Sequence, residues 1–421
     1  MGSLKNDLRG VFRGLSLTDK LLPLLIILAI VLGVLLSVYV PSSRTALDSS
    51  KVVGVSVPLA VGLIVMLLPP LCKVEWENVL KYFSRSTYLK PILFSLVLNW
   101  IICPFFMFGL AWLTLFDQDE YRTGIIMIGL ARCIAMVLLW NDIADGDNTL
   151  CAVIVIVNSV LQIVLYAPYQ IFFCYVITGH YQQTSSSVTY SLVAKSVAFF
   201  MGVPFGLGVL IRLVGRALLG SKRYDTKFLP FVSPWALIGL LYTIVVIFME
   251  KGNDFIQDIG SAFRCFVPLV VYFIGTFFGT LFLLRWLYTY RIFESRHVES
   301  DETETSDEKK PLCGCEKTKD LYPEKFSYGC AAPYGATVAQ TFTAASNNFE
   351  LSLAIAISIY GSGSKQAIAA TFGPLIEVPV LLLLVFVARY FKVRFVWIDV
   401  EPLQDADEEA EEEAGEAVVE A

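Results

Sequence analysis

The sequence predicts an all-α polytopic membrane protein, and three observations support this prediction. Of its 421 residues, 56% are apolar and only 17% are charged, whereas soluble domains carry about 25% charged residues. Uncharged runs near twenty residues in length recur along the chain, and about 20 helical residues cross the roughly 30 Å hydrocarbon core of a bilayer. The net charge of -6 also argues against a nucleic-acid binder.

Ten apolar stretches are long enough to be membrane spans. We expect them to be helices, because every backbone polar group at membrane depth must be satisfied internally. A barrel would need alternating polarity, which runs such as LLPLLIILAIVLGVLLSVYV lack. In chain order the predicted spans are 21–40, 52–72, 91–116, 123–141, 149–178, 190–211, 228–249, 265–284, 334–360 and 366–388.

Lysine and arginine predict the orientation of these spans. The loops on the side of the N-terminus hold 24 of these residues, and the loops on the opposite side hold six. Because basic loops stay in the cytoplasm, both termini are predicted to be cytosolic. The cytosolic parts are then the N-terminus (1–20), a charged loop (291–325) and an acidic tail (392–421). The plasma membrane is the expected location, although a vacuolar membrane would give the same asymmetry.

Two of the predicted spans carry polar residues that an ordinary lipid-facing helix would not tolerate. The fourth is interrupted midway by Gly129, Arg132 and Cys133. The ninth contains a longer polar run, which comprises Thr341, Thr343, Ser346, Asn347, Asn348 and Glu350. A helix break that lines a protein-enclosed cavity is the expected solution in both cases.

The two interrupted spans occupy matching positions in the chain. Ten spans divide into a first half (21–178) and a second half (190–391), and each interrupted span is the fourth of its half. Because five is an odd number, the second half should insert upside down relative to the first. Irregular segments at matching positions of two such halves are the best sequence indication of a transporter binding site.

The spans that follow the interrupted ones are also polar. In the fifth span four residues share one helix face, and both interhelical packing and a cavity wall explain that face. These residues are Asn158, Gln162, Tyr166 and Gln170. In the tenth span Glu377 lies between Pro374 and Pro379, where distortion could free backbone carbonyls beside the carboxylate.

The chemistry of Cys133 indicates which class of ligand the cavity binds. A neighbouring guanidinium, Arg132, and a half-helix N-terminus would both stabilise a thiolate at this position. Thiolates select soft ions and metalloids, while Asn348 and Glu350 would add hard oxygens. We also expect Arg132 and Glu350 to pair across the centre. A cysteine in a membrane helix is, however, more often a packing residue.

The remaining cysteines predict no disulfide framework. Most of the nine lie in spans, where they behave as small buried hydrophobes. Cys313 and Cys315 form a C-x-C pair in the cytosolic loop, which is an incomplete metal site by itself. No cofactor is predicted.

At these residues the chain resembles the arsenical-resistance-three family of arsenite efflux permeases, within the bile acid/arsenite/riboflavin transporter superfamily. The resemblance covers all ten spans and is carried by the segments GLARCIAMVLLWN, VNSVLQIVLY, SNNFELSLAIAIS and GPLIEVP. It implies two inverted five-helix repeats with crossed, discontinuous fourth and ninth helices. It also implies efflux of trivalent arsenic, often of antimony too, driven by protons that enter the cell.

The resemblance further implies roles for individual residues. Cys133 matches the essential cysteine, and its functional neighbours are Arg132 and Trp140. Further substrate-site positions are matched by Asn158, Asn348, Phe349 and Glu350. Arg212 matches another functional position at the end of the sixth span. Glu377 matches the tenth-span glutamate, and Glu350 and Glu377 are assigned to proton coupling.

Other functional classes make different demands on the sequence. A sodium-coupled organic-anion symporter of the same superfamily would need oxygens around Na⁺ and no thiol at position 133. A channel is disfavoured by the paired broken helices. An intramembrane enzyme would need a nucleophile with a base or a metal motif, and the two histidines, His180 and His297, lie outside the spans.

Overall fold

The computed structural model describes residues 17–40, 50–74, 86–134, 136–178, 186–257, 259–289, 332–361 and 364–397, together with residues 42, 47 and 76. This part of the chain is almost entirely helical. Its helices are α1 (Leu17–Tyr39), α2 (Val57–Lys73), α3 (Ser86–Val97), α4 (Cys103–Thr114), α5 (Asp119–Leu130), α6 (Met136–Ile143), α7 (Asn148–Ile171), α8 (Ser186–Val197), α9 (Val203–Leu219), α10 (Ser221–Arg223), α11 (Leu229–Val232), α12 (Pro234–Gln257), α13 (Ile259–Thr289), α14 (Tyr334–Ala345), α15 (Phe349–Tyr360) and α16 (Lys365–Arg394). A two-stranded antiparallel hairpin, β1 (Lys51–Val52) and β2 (Val55–Ser56), precedes α2.

Short π-helical segments keep two of the long helices continuous past a proline. Leu98–Ile102 joins α3 to α4, and Ala198–Gly202 joins α8 to α9. In both cases a proline lies in the first two positions of the second helix. Proline has no N–H and its ring clashes with the carbonyl four residues earlier. The wider π turn accommodates this defect, so each pair runs on as one apolar helix.

Six helical stretches in the described chain are long and apolar enough to cross a membrane. They are Leu89–Thr114, Asn148–Val176, Tyr190–Leu219, Ser221–Glu250, Phe263–Tyr288 and Lys365–Arg394. Shorter apolar helices occur at Leu24–Tyr39, Val57–Lys73 and Phe349–Tyr360. Large apolar side chains cover their outer surfaces, as expected for helices in contact with lipid. The all-α polytopic class predicted from the sequence is therefore confirmed.

The helices pack in two groups. The scaffold group consists of α1, α2, α9 and α12, in which α12 packs against α1 and α2, and α9 packs against α2. The crossing group consists of α3 to α7 and α13 to α16. α8 runs into the scaffold helix α9 and packs against α7 and α15 of the crossing group. Among the described residues, the polar side chains singled out in the spans all lie in the crossing group or in the interruptions between its helices, except Arg212.

Three of the segments predicted from the sequence to be cytosolic lie wholly or mostly outside the described residues. These parts are the loop 291–325 with Cys313 and Cys315, most of the N-terminal segment 1–20, and most of the tail 392–421.

Candidate functional site

The site is built where two helix interruptions meet. α5 ends at Leu130 and α6 begins at Met136, while α14 ends at Ala345 and α15 begins at Phe349. Ala131 and Ser346, which follow the two helix ends, are extended, and Arg132 pairs with Asn347 in an antiparallel bridge. The Asn348 N–H also donates to the Ala131 carbonyl at 3.1 Å. The two segments therefore hold each other at the point where both helices are broken.

Side chains satisfy the carbonyls that the broken helices leave without intrahelical partners. The carbonyls at the C-terminal ends of α5 and α14 would otherwise be orphaned at membrane depth. Their donors are Tyr166 and Ser352 on the Met127 carbonyl, each at 3.1 Å, Asn347 on the Ile128 carbonyl at 3.0 Å, and Tyr272 on the Ala344 carbonyl at 3.1 Å. The polar residues of the ninth span and of the fifth therefore act first as partners for backbone.

Arg132 lies on the face of the crossing where the two helix C-termini converge. Its guanidinium donates to the Tyr272 hydroxyl at 3.0 Å and to the Gly129 carbonyl, and it also contacts the Cys103 thiol. The side chain is 1% exposed, and no carboxylate pairs with it in the described part of the chain. Each helix C-terminus carries about half a negative charge, so the two ends together can balance the buried cation.

Cys133 lies on the opposite face, because successive side chains of an extended segment alternate. Its thiol is within hydrogen-bonding reach of the Ser346 hydroxyl and accepts from the Val137 N–H at the start of α6. The charged groups that act on it are the carboxylates of Glu377 and Glu350. The half-helix N-terminus expected beside Cys133 is present.

Two details of the predicted site are wrong. The Arg132 guanidinium does not support the Cys133 thiol, and it forms no ion pair with Glu350 across the centre. Both errors have one cause: neighbouring residues on an extended segment point to opposite faces. Glu350 instead lies in the first turn of α15, where helix N-terminal dipoles favour a carboxylate.

Glu377 holds the interruption of the ninth span from the side of α16. Ser346 donates to its carboxylate at 2.5 Å, and the backbone N–H of Asn347 donates to it as well. The carboxylate is 2% exposed. Asn348 caps α15 by accepting from the Leu351 N–H at 3.0 Å, while its side-chain amide nitrogen has no partner among the described residues.

The polar face of the fifth span serves interhelical hydrogen bonds. Asn158 accepts from the Trp100 indole at 3.0 Å. Gln162 accepts from the Arg132 N–H and donates to the Met201 sulfur at 3.0 Å. The sequence left two interpretations of this face open, interhelical packing and a cavity wall. These contacts favour packing between helices.

Trp140 and Phe349 are both fully buried beside the crossing. The Trp140 indole nitrogen has no partner in the described chain. The Phe349 ring packs edge-on against Phe273, with 6.1 Å between ring centroids. On its other side it lies so close to α16 that a Cβ added at Gly373 would sit 1.6 Å from the ring.

We expect Gly373→Ala to destabilise the protein by about 1–3 kcal/mol, the usual effect of overpacking a close-packed core. The Phe349 ring would have to move, and with it the backbone beside Glu350. Thermal unfolding of the purified protein measures the loss. Gly206→Ala is the matched control, because nothing lies within 4 Å of its added Cβ. Equal melting temperatures for the two variants would contradict this packing argument.

Arg212 is the predicted site residue that the structure places elsewhere. It lies in α9 of the scaffold group, where its guanidinium donates to the carbonyls of Cys72 at 3.4 Å and Lys73 at 3.0 Å. Tyr224 donates to the same Cys72 carbonyl at 3.2 Å. Arg212 therefore binds the C-terminal end of α2.

A cavity of about 580 Å³ separates the scaffold group from the crossing group. Its walls are mostly apolar and include Met66, Leu237, Leu240, Met136, Leu139 and Asp142. It lies at the end of the molecule that the sequence predicts to be cytosolic. Asn148 at the start of α7 lines it, and the preceding Asp147 caps this helix by accepting from the Leu150 N–H at 2.9 Å. Burial raises the pKa of Asp147.

The sequence did not indicate the roles of two residues of this site. Tyr272 lies in an uninterrupted apolar span and gives no sequence signal, yet it binds both Arg132 and the Ala344 carbonyl. Ser346 was recognised only as one of several polar residues in the ninth span. Its contacts with both Cys133 and Glu377 depend on the third dimension.

Comparisons with known proteins show what the whole chain is similar to. The model of the Sodium Bile acid symporter family matches residues 60–258. The arsenical-resistance protein Acr3 of Corynebacterium glutamicum is 38% identical over 374 residues, which cover 88% of this chain and 89% of that protein.

Two further relatives are more distant. An uncharacterised transporter of Synechocystis is 29% identical over 89% of this chain and 89% of its own. The Acr3 arsenical-resistance protein of Alkaliphilus metalliredigens is 24% identical over 90% of this chain and 94% of its own. These similarities extend over both helix groups.

Proposed function

Because this chain belongs to the Acr3 family of arsenical-resistance proteins, which are multi-pass membrane transporters and not enzymes, we propose that it extrudes trivalent arsenic from the cytosol by proton antiport. The family confirms the resemblance drawn from the four sequence segments and the transporter class. One observation supports proton-coupled efflux of trivalent arsenic in particular. On one face of the crossing a buried thiol, Cys133, lies close to two buried carboxylates, Glu350 and Glu377.

We propose ten spans arranged as two inverted repeats, and the helix packing supports this arrangement. In such a repeat each contact should recur with the halves exchanged. α1 packs on α12 and α2 on α9; α4 packs on α5 and α13 on α14; α16 packs on α5 and α7 on α14. Each of these three pairs relates one half of the chain to the other.

The proposed substrate ligand is Cys133, since a trivalent arsenic centre is soft and a thiolate is the softest donor at the crossing. Asn348 and Trp140 would donate to the oxygens of the substrate, because each holds a buried N–H group that has no partner among the described residues. Phe349 would wall the site. Arg132 and Asn158 would not contact the substrate. They would support the site by holding the helices that form it. Antimonite should follow the same route.

Proton antiport requires a group that holds either substrate or proton. Glu350 and Glu377 fit this role because both are buried beside the thiol and neither forms an ion pair in the described part of the chain. The 580 Å³ cavity would admit the substrate from the cytosol to the crossing. Relative movement of the scaffold and crossing groups would then expose the site to the other side.

As(III) flux into everted membrane vesicles, with and without an acidic lumen, tests this function. We expect As(III) to accumulate only when the lumen is acidic, and Sb(III) to compete with it. Accumulation that needs a sodium gradient and no pH gradient would instead favour the sodium-coupled organic-anion symporter suggested by the matched family model. Absence of As(III) flux under any gradient would reject the proposal.

We also propose that both termini and the loop 291–325 face the cytosol of cells that carry the protein in the plasma membrane. An impermeant thiol reagent added to sealed cells should leave Cys313 and Cys315 unmodified, and it should modify them in everted vesicles. The cysteines in the described chain are all buried and add little background. Ser50→Cys is the positive control, since this exposed residue is predicted outside. Ready labelling of the loop cysteines in sealed cells would contradict the orientation.

A further inference from the structure

Three buried side chains from three different segments form a row on the face of the crossing opposite Arg132, where α6 and α15 begin. The Cys133 thiol reaches the Ser346 hydroxyl, and the Ser346 hydroxyl donates to the Glu377 carboxylate at 2.5 Å. Cys133 comes from the fourth-span interruption, Ser346 from the ninth, and Glu377 from α16. The three side chains are 6%, 0% and 2% exposed. A thiol is thus connected to a carboxylate through one hydroxyl, away from bulk water.

Each member of the row is held by backbone. Ser346 is extended, with φ -103° and ψ 142°, and its N–H donates to the Phe342 carbonyl at 3.0 Å. The Asn347 N–H donates to the Glu377 carboxylate, and the Val137 N–H donates to the Cys133 sulfur. These N–H groups are aimed at the two ends of the row, where negative charge would develop on either sulfur or oxygen.

We propose that Ser346 relays a proton between the Cys133 thiol and the Glu377 carboxylate, so that arsenic can exchange onto the sulfur only while Glu377 is ionised. This inference rests on the proposed function, because it takes trivalent arsenic as the substrate. A hydroxyl suits the role because it donates one hydrogen bond and accepts others at the same time.

The relay gives a balanced ligand exchange with arsenous acid, As(OH)₃. The Cys133 sulfur attacks arsenic while the thiol proton passes to the Ser346 oxygen and the Ser346 proton passes to the Glu377 carboxylate. The same proton returns through Ser346 to the departing hydroxide as the As–O bond breaks. One S–As bond and one water are formed, one S–H and one As–O bond are broken, and nothing is oxidised or reduced. Release is the reverse, with water as the nucleophile.

The state of Glu377 gates this exchange. When this carboxyl holds a proton that has entered from the outside, it cannot accept the thiol proton, so Cys133 remains a thiol and arsenic is not bound. When it is ionised, the exchange can begin. Glu350 is the other carboxylate that acts on this row, whereas Arg132 points to the opposite face towards Tyr272 and Cys103. The guanidinium therefore does not hold Glu377 permanently ionised.

Ser346→Ala, Ser346→Thr and Ser159→Ala test the relay in reconstituted vesicles. Removing the hydroxyl of Ser346 should slow As(III)/As(III) exchange on the order of 100-fold, the usual contribution of a positioned acid or base. Threonine keeps a hydroxyl and should restore most of the rate. Ser159 is the matched control: it is equally buried, and its hydroxyl donates to the Val155 carbonyl of its own helix, α7, at 2.7 Å. Its alanine variant should stay near the wild-type rate.

The pH profile separates a relay from a merely structural role. Wild-type exchange should slow as Glu377 becomes protonated at low pH, whereas the residual exchange of Ser346→Ala should lose this dependence. A wild-type rate in Ser346→Ala, or an unchanged pH profile, would overturn the relay while leaving arsenic transport intact. Absence of As(III) flux in the wild type would instead reject the proposed function. Thermal unfolding of all variants identifies any that misfold. If Ser346→Thr does, the comparison of Ser346→Ala with Ser159→Ala still decides.

Discussion

Replacing Cys133 by serine should abolish As(III) transport while leaving the protein folded in the membrane. Serine keeps the shape of the side chain and can still contact Ser346 and the Val137 N–H, but its hard, protonated oxygen has little affinity for a soft centre. Efflux from loaded cells and resistance of a sensitive host both measure the loss.

Two other buried cysteines provide the controls. The Cys103 thiol contacts the Ala344 carbonyl at 3.7 Å on the Arg132 face, a bond that a serine hydroxyl can make equally well. Cys174 lies beyond the end of α7, away from the crossing. Cys103→Ser and Cys174→Ser should therefore keep most of the transport rate. If Cys133→Ser, expressed at the wild-type level, gave full arsenic resistance, Cys133 would be a packing residue and no thiolate would be needed for transport.

Neutralising either carboxylate of the crossing should abolish uphill transport. Glutamine at position 350 or 377 cannot exchange a proton, so an acidic lumen should no longer drive As(III) into everted vesicles. The two variants should differ in downhill exchange. Glu350→Gln should retain it, because Glu350 makes no side-chain contact with Ser346, whereas Glu377→Gln should lose most of it, because the thiol proton then has no acceptor.

The matched control for these variants is Glu250→Gln. Glu250 is also buried and lies within 3.4 Å of the Ser56 hydroxyl, but it belongs to the scaffold group. Uphill and exchange flux are measured in the same vesicles for all three variants. If Glu350→Gln and Glu377→Gln both still concentrate As(III) from an acidic lumen, neither carboxylate carries the coupling proton.

The helix interruptions were predictable because membranes penalise polar backbone and side chains strongly. A run such as SNNFE cannot continue a lipid-facing helix, so the sequence alone indicated a break at Asn348 and at Arg132. The contacts inside the break were not predictable. Whether Arg132 faces Glu350 or Tyr272 depends on a single alternation of side chains in an extended segment, and one residue of shift reverses it.

The residues of the site likewise fall into those that could be predicted from the sequence and those that could not. Residues that are costly in a membrane, such as Glu377, could be found from the sequence because few structural reasons retain a carboxylate there. Tyr272 could not, because a tyrosine in an apolar span is ordinary. Ser346 was visible, but its place between a thiol and a carboxylate requires three segments that are far apart in the chain.

The bridge between the two interruptions also constrains how the protein is made. The Asn347 amide donates to the carbonyl of Ile128, 219 residues earlier, and the Ala131 carbonyl accepts from the N–H of Asn348. During synthesis the first five spans emerge long before these donors exist. An unsatisfied carbonyl in lipid costs several kcal/mol, so the half-made chain must remain loosely packed and hydrated at this point. Assembly of the crossing is therefore a late event in biogenesis, and a chain that ends before Tyr334 has no partner with which to close it.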